Sequence, residues 1–347
     1  MAGGQPAWAS RWAGSGLAAA AGLAVAACAA GAPNLAPAGA ATSQAGASPA
    51  ASAAPSRPAA PLTDLAAASA ADAQRRAVAL VLSGSDPRGL ASADIVYQEF
   101  ASPVRYIAVF QSKEATGVGP LTSTQPTDGQ ALSVLRALFG YDGSTPVFTK
   151  ELHRSDVIDL GFAGHRSLYA SAPQGVTTST RVFRRAVRRA GAPPQIFYFQ
   201  GEGAATGVLA TAHLSRPSAA KVTVPGYGTE SWAYDSHTGL WSLTAGGPKV
   251  SVANVVVQFV PYKQVGGHGA ATAVSTARLV GRGAARVLSG KAGGSGMAAP
   301  GIWSKPHLNQ LTDYADGNGY PMAFQPGPTW VIFAPKGTRF TTTGGQS

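Results

Sequence analysis

The sequence predicts an α+β protein: a mixed α/β first domain, then a mostly β second domain, behind a disordered N-terminal tether. Three observations predict it. Residues 28–72 are mostly Ala, Pro, Ser, Gly and Thr. Between residues 73 and 200, short apolar runs alternate with stretches of helical period. From residue 218 onward, β-branched and aromatic runs are parted by glycine turns. The 347 residues therefore divide into 1–27, 28–72, 73–200, a connector at 201–217, and 218–347.

The N-terminus carries one base, Arg11, before the apolar stretch "WAGSGLAAAAGLAVAA" from Trp12 to Ala27. That is the length of a signal-peptide core, and short of the roughly 20 apolar residues a membrane span needs. Val25-Ala26-Ala27 then places small residues directly before Cys28, the pattern of a bacterial lipobox. We read 1–27 as a lipoprotein signal peptide and Cys28 as the point of lipid attachment. The expected location is the outer face of the cell membrane. Two acyl chains anchor stably where one is marginal. Cys28 is the only cysteine, so no disulfide forms within the chain. Residues 28–72 hold too few aromatic and β-branched residues to offset the entropy of ordering, and read as a flexible linker.

In the first domain, "RRAVALVLSG" (75–84) predicts a buried strand, and "ADIVYQEF" (93–100) a helical turn running into a strand. "VRYIAVFQS" (104–112) predicts a strand. "GQALSVLRALFG" (129–140) places Leu132, Leu135, Leu138 and Phe139 at helical period. "TPVFTK" (145–150) predicts a short strand and "ELHRSDVIDLGF" (151–162) a helix. "TTSTRVFRRAVRRAG" (177–191) predicts a helix capped by Thr or Ser and ended by Gly191 before Pro193-Pro194. In the second domain, "AKVTVPG", "ESWAYDSHTGLWSLT", "VSVANVVVQFVPY", "TARLVGRGAARVLSG", "GIWSKPH" and "PTWVIFAP" predict strands. "YDSHTGLW" and "TDYADGNGYPMAF" predict hairpins, the second with Asp-Gly-Asn-Gly at its tip.

The net charge is +11, from 27 Lys and Arg against 16 Asp and Glu. The bases are spread along the chain without a long run, and no nucleic-acid motif accompanies them, so nucleic acid is not an expected partner. Arg181, Arg184, Arg185, Arg188 and Arg189 fall on one predicted helix. They form a basic face suited to anionic lipid or acidic wall polymer. Trp232, Trp241, Trp303 and Trp330 are expected in the core, with sugar stacking as the sharper option. No two of the six histidines lie within ten residues of each other, so no local metal pair is visible. No metal or cofactor is expected. His153 and His165 flank one predicted helix.

Known catalytic spacings match poorly. Ser218-Ala-Ala-Lys221 has the nucleophile spacing of penicillin-binding enzymes, but no Lys-Thr-Gly or Ser-Asp-Asn follows. Gly201-Glu-Gly203 through Gly207 has the glycines of a nucleotide loop without a clear preceding strand. Asp313, Asp316 and Asn318 lack the twelfth-position Glu of a calcium loop and read as a hairpin tip.

Three stretches together resemble the YerB-like putative lipoproteins. They are "ASADIVYQEF…VRYIAVFQS…GVGP" (91–120), "GYDGSTPVF" with "GHRSLYAS" (140–171), and "GIWSKP…TDYADGNGYPMAFQPGPTWVIFAP" (301–335). The resemblance implies an envelope lipoprotein with an N-terminal and a C-terminal domain and no assigned activity. It also implies two arginines close behind the Gly-Pro of the first motif. Here that loop reads Gly119-Pro120-Leu121-Thr122-Ser123-Thr124-Gln125, with none. Arg105, which begins the family's strand motif, is kept, and the family's Pro-His-Asn-like segment appears as Gly164-His165-Arg166-Ser167.

The reading that follows is a lipid-anchored envelope protein that binds an anionic envelope component or a partner protein. The candidate binding residues are Arg105, Asp142, His165 and Arg166. The alternative is a cell-wall-modifying hydrolase, which would gather His165, Asp142 and Glu99 in one cleft.

Overall fold

The computed structural model describes residues 58–187, 191–200, 214–266 and 273–344. The signal peptide, Cys28, the Gly201–Gly207 loop, Arg188 and Arg189 lie outside them.

Folded chain begins earlier than composition predicts. Within the expected linker, Ala59 bridges Ala66, Leu62 is fully buried, and the Thr63 carbonyl accepts Gly327 N–H at 2.7 Å. Helix α1 (Ala70–Ala73) follows, with the Ser69 hydroxyl accepting Asp72 N–H. One leucine with somewhere to go thus overrides a low-complexity composition.

The first half supplies strands β1 (Val78–Ser83), β2 (Ile95–Glu99), β3 (Arg105–Phe110), β4 (Leu138–Gly140), β5 (Ile158–Asp159), β6 (Tyr169–Ala172) and β7 (Gly175–Thr178). Its helices are α2 (Pro126–Leu132), α3 (Pro146–Leu152) and α4 (Thr180–Ala186). The second half supplies β8 (Ala219–Val224), β9 (Gly228–Asp235), β10 (Leu240–Ala245), β11 (Ser251–Val252) and β12 (Asn254–Phe259). It continues with β13 (Tyr262–Val265), β14 (Val274–Ala277), β15 (Gly281–Gly290), β16 (Gly296–Lys305), β17 (Asp313–Ala315), β18 (Thr329–Ala334) and β19 (Arg339–Thr343).

Ten strands form one mixed sheet in the order β17-β16-β15-β12-β18-β2-β3-β1-β4-β5. Strand β18 joins the halves, lying parallel to β12 on one side and to β2 on the other. A five-stranded antiparallel sheet, β11-β10-β9-β8-β19, covers part of one face. The large sheet carries a core on each face. Val78, Leu80 and Leu82 of β1 lie on the face that carries the smaller sheet's Val222, Trp232 and Trp241, with Leu80 beside Phe183 of α4. Ala79 and Val81 point the other way, with Tyr97, Leu132, Trp303 and Phe333. Burial on both faces explains why β1 reads as a continuous apolar run rather than an alternating one.

Four expectations are corrected. The 177–191 helix is only α4, Thr180–Ala186: Thr177 and Thr178 belong to β7, and Val187 ends the helix in extended backbone. The 129–140 helix ends at Leu132; Val134 and Arg136 take left-handed backbone (φ 78° and 49°), and Leu138–Gly140 is β4, parallel to β1. The 145–150 strand is helix α3. Thr145 caps it by accepting Phe148 N–H at 3.3 Å, and Pro146 occupies the first turn, where no amide is needed. The 151–162 helix is therefore the end of α3, a turn, and β5.

Candidate functional site

Beneath the candidate site lies a buried charge cluster. Glu99 and Arg105 face each other across the β2–β3 hairpin, and α2 brings Asp128 to the same guanidinium. Arg105 Nη1 donates to Glu99 Oε2. Its Nη2 donates to Asp128 Oδ2 at 2.9 Å and to the Ser123 carbonyl at 2.8 Å. Glu99 Oε1 also accepts Ala277 N–H at 2.9 Å and the Thr127 hydroxyl. Arg105 is 3% exposed, and Glu99 and Asp128 are fully buried. Burial works against the charged guanidinium, but Asp128 and Glu99 outweigh it and hold its pKa above the ordinary value. Burial pushes the Glu99 carboxyl up; Arg105 opposes the rise and Asp128 adds to it.

Arg105 is thus corrected as a ligand contact. Its two terminal nitrogens bond to the protein, its Nε has no partner, and the whole group is buried away from any ligand. What it holds is the Ser123 carbonyl, in the Gly119–Gln125 loop where the family resemblance implied arginines. That loop in turn holds the next segment: Asp142 N–H donates to the Thr122 carbonyl at 2.9 Å, and Thr124 N–H to the Gly143 carbonyl at 3.0 Å.

Tyr141 and Gly143, on either side of Asp142, line an open cleft of about 780 Å³ along α3. Lys150, His153 and Arg154 supply bases, and Tyr141, Ser144, Thr145 and Thr149 supply hydroxyls. Thr149 and Lys150 lie in the last turn of α3, His153 caps it, and Arg154 follows in the turn beyond, so the helix end carries all four to the cleft. No carboxylate lines the cleft. Asp159 sits behind it, accepting the Tyr141 hydroxyl at 3.2 Å and Gly161 N–H at 3.0 Å, and bonded to His153 Nε2 at 2.9 Å. Burial, then the Asp159 charge, pushes the Tyr141 hydroxyl well above its ordinary pKa, so it stays a donor. Arg154 is paired to Glu151 at 2.8 Å, while Lys150 makes no ion pair among the described residues. A basic, hydroxyl-lined concavity of this size suits an anion, which such groups bind by charge-assisted hydrogen bonds.

The other sequence-predicted residues scatter around this cleft. Asp142 is half-buried at its rim. His165 and Arg166 are exposed in the loop after β5, with the Arg166 guanidinium 5.6 Å from the Phe162 ring centre. No hydrogen bond joins Glu99, Asp142 and His165, and the Glu99 oxygens are already taken. On α4, Arg181 and Arg185 are exposed. Arg184 is corrected: it pairs with Glu114 at 2.6 Å and donates to the Arg76 and Phe110 carbonyls, so it ties α4 to the sheet.

The four tryptophans are at most 1% exposed and belong to the core, which removes them as sugar-stacking residues. Ser218 lies in a bend before β8 and Lys221 on the strand, both exposed, and no hydrogen bond joins them. Asp316 Oδ1 accepts Asn318 and Tyr320 N–H, both at 2.9 Å, as a turn former. Among the described residues no group of three metal-ligating side chains converges. No helix there is long and apolar enough to cross a membrane.

Residues 62–195 match the N-terminal domain, and residues 220–331 the C-terminal domain, of DUF3048, described as a protein of unknown function. The chain belongs to the DUF3048 family. A solved relative, the crystal structure of YerB protein from Bacillus subtilis, superimposes with a TM-score of 0.64 at 19% identity. The match covers 82% of this chain and 99% of that one, and shows a shared fold. No curated protein matches the sequence. Both DUF3048 domains contribute strands to the ten-stranded sheet, so the family's two sequence domains meet in one hydrogen-bonded layer.

Proposed function

We propose that this DUF3048 protein is a lipid-anchored binding module of the cell envelope that recognises a phosphate-bearing polyol polymer in the cleft along α3. One observation carries the reading: the cleft presents three bases and four hydroxyls with no carboxylate among its lining residues. Bases answer the phosphates, and hydroxyls answer the polyol. The anchor rests on the lipobox at Val25–Cys28. The hydrolase alternative draws no support from Glu99, Asp142 and His165, which do not converge.

The test is equilibrium binding of poly(glycerol phosphate) to the full chain at low salt. Lys150→Glu with Arg154→Glu should weaken binding at least tenfold. Reversing Arg181 and Arg185 should leave most of it. An unchanged affinity in the cleft variant sinks the reading, as does loss of binding only in the α4 variant. Cys28→Ala should release the protein from membranes.

A further inference from the structure

Lys305, the last residue of β16, is 2% exposed and forms no ion pair among the described residues. Its ammonium donates to the Gln310 carbonyl. Asp156 and Asp313 act on it only from beyond ion-pair distance, and a buried charge without a close partner is costly. Lys305 lines a small cavity of about 30 Å³, on the face of the large sheet away from the five-stranded sheet. No Asp or Glu lines it. Its polar lining is donor-rich. Tyr314 spends its hydroxyl hydrogen on Gln258 Oε1 at 2.7 Å, which leaves the Gln258 amide N–H groups to donate. The Tyr97 hydroxyl has no partner among the described residues, and burial holds it protonated by pushing its pKa well above the ordinary value. Two N–H bonds of Lys305 also remain. Burial lowers the Lys305 ammonium to about 8, with Asp156 and Asp313 opposing, so at pH 7 it is mostly charged.

We propose that this cavity is a binding site for a small monatomic anion, a halide, with Lys305 as its charged anchor and Tyr97 and Gln258 as donors. A void of about 10–15 Å³ holds one water, so this one has room for a water-sized occupant, and a halide is the anion nearest that size. The site is separate from the α3 cleft and does not depend on the reading of that cleft.

Two measurements on the full chain test it. Thermal unfolding is followed as sodium gluconate is replaced by sodium chloride at constant ionic strength. The wild type should show a saturating rise in Tm, about 5 °C at chloride 100-fold above its Kd. Lys305→Met, similar in volume, should lose that rise. Crystals grown with bromide should show an anomalous peak beside Lys305, a measurement that stands even if the variant fails to fold. Equal Tm in gluconate and chloride, a chloride effect that survives in Lys305→Met, or only water in the cavity would each overturn the proposal.

Discussion

Glu230 of β9 is 5% exposed, between the two sheets, where Gln98 Nε2 donates to its Oε1 and its Oε2 has no partner. Burial pushes its carboxyl from 4.5 up to about 7, with Gln98 and Trp232 opposing. The folded state therefore prefers the protonated form. The stability this gives is complete below pH 4.5 and is lost as pH rises through 7. Glu230→Gln keeps the neutral contact at every pH. It should be near neutral at pH 4 and stabilising by about 2 kcal/mol at pH 8, read from urea unfolding at both values. A variant that destabilises equally at both would contradict this. Arg105 makes the opposite case. Arg105→Ala leaves two buried carboxylates without their cation and should cost about 3–5 kcal/mol. It should also weaken polymer binding, because the Ser123 carbonyl loses its anchor. Arg105→Lys should recover part of the stability, as a point charge cannot serve both carboxylates and the carbonyl in one fork.

Elements here owe their ends to contacts distant in sequence. The Gly119–Gln125 loop enters through Gly119, at φ 152°, whose N–H and carbonyl pair with Arg88. A Cβ at that position would meet the Val176 carbonyl oxygen at 2.7 Å and Thr177 Cα at 3.2 Å. Both are backbone and cannot swing away, so Gly119→Ala should destabilise by about 2 kcal/mol or more, measured by chemical unfolding; a neutral variant would refute the close approach. The same dependence explains which elements were legible. β1 was readable because an uninterrupted apolar run bounded by turn residues suits a strand buried on both faces, and β3 because its residues alternate. The 129–140 stretch misled because Leu132, Leu135, Leu138 and Phe139 are all buried, but the first belongs to a helix and the last two to a parallel strand. Helical spacing and burial coincide there by geometry of the core, not of one helix. Helix α3 did leave a local signal, Thr145 before Pro146, and reading it as an N-cap would have placed Lys150 in its last turn, with His153 and Arg154 just beyond its end.

At the scale of the whole molecule, β18 is central. It closes the chain's second half onto β2 of the first, in a sheet with hydrophobic residues on both faces. Cutting the chain at residue 200 would strip β2 of β18 and leave a long apolar edge. The 58–200 fragment is therefore expected to aggregate or stay unfolded, and the intact protein to unfold in one calorimetric transition. Two separated transitions would show that the halves are independent. Taken by itself, the sequence determined the α+β class, the strand-rich second half and the family, because these follow from local patterns: apolar runs, glycine turns and three motifs in order. It also pointed to Arg105, but not to its role. Only the tertiary structure decided that Arg105 faces inward to Glu99 and Asp128, that Arg184 serves the fold, and that Lys150, His153 and Arg154 border an acid-free cleft. Charge type is written in the sequence. Whether a charge meets water, a ligand or a buried partner depends on which strands pair, and those pairings join residues more than two hundred positions apart.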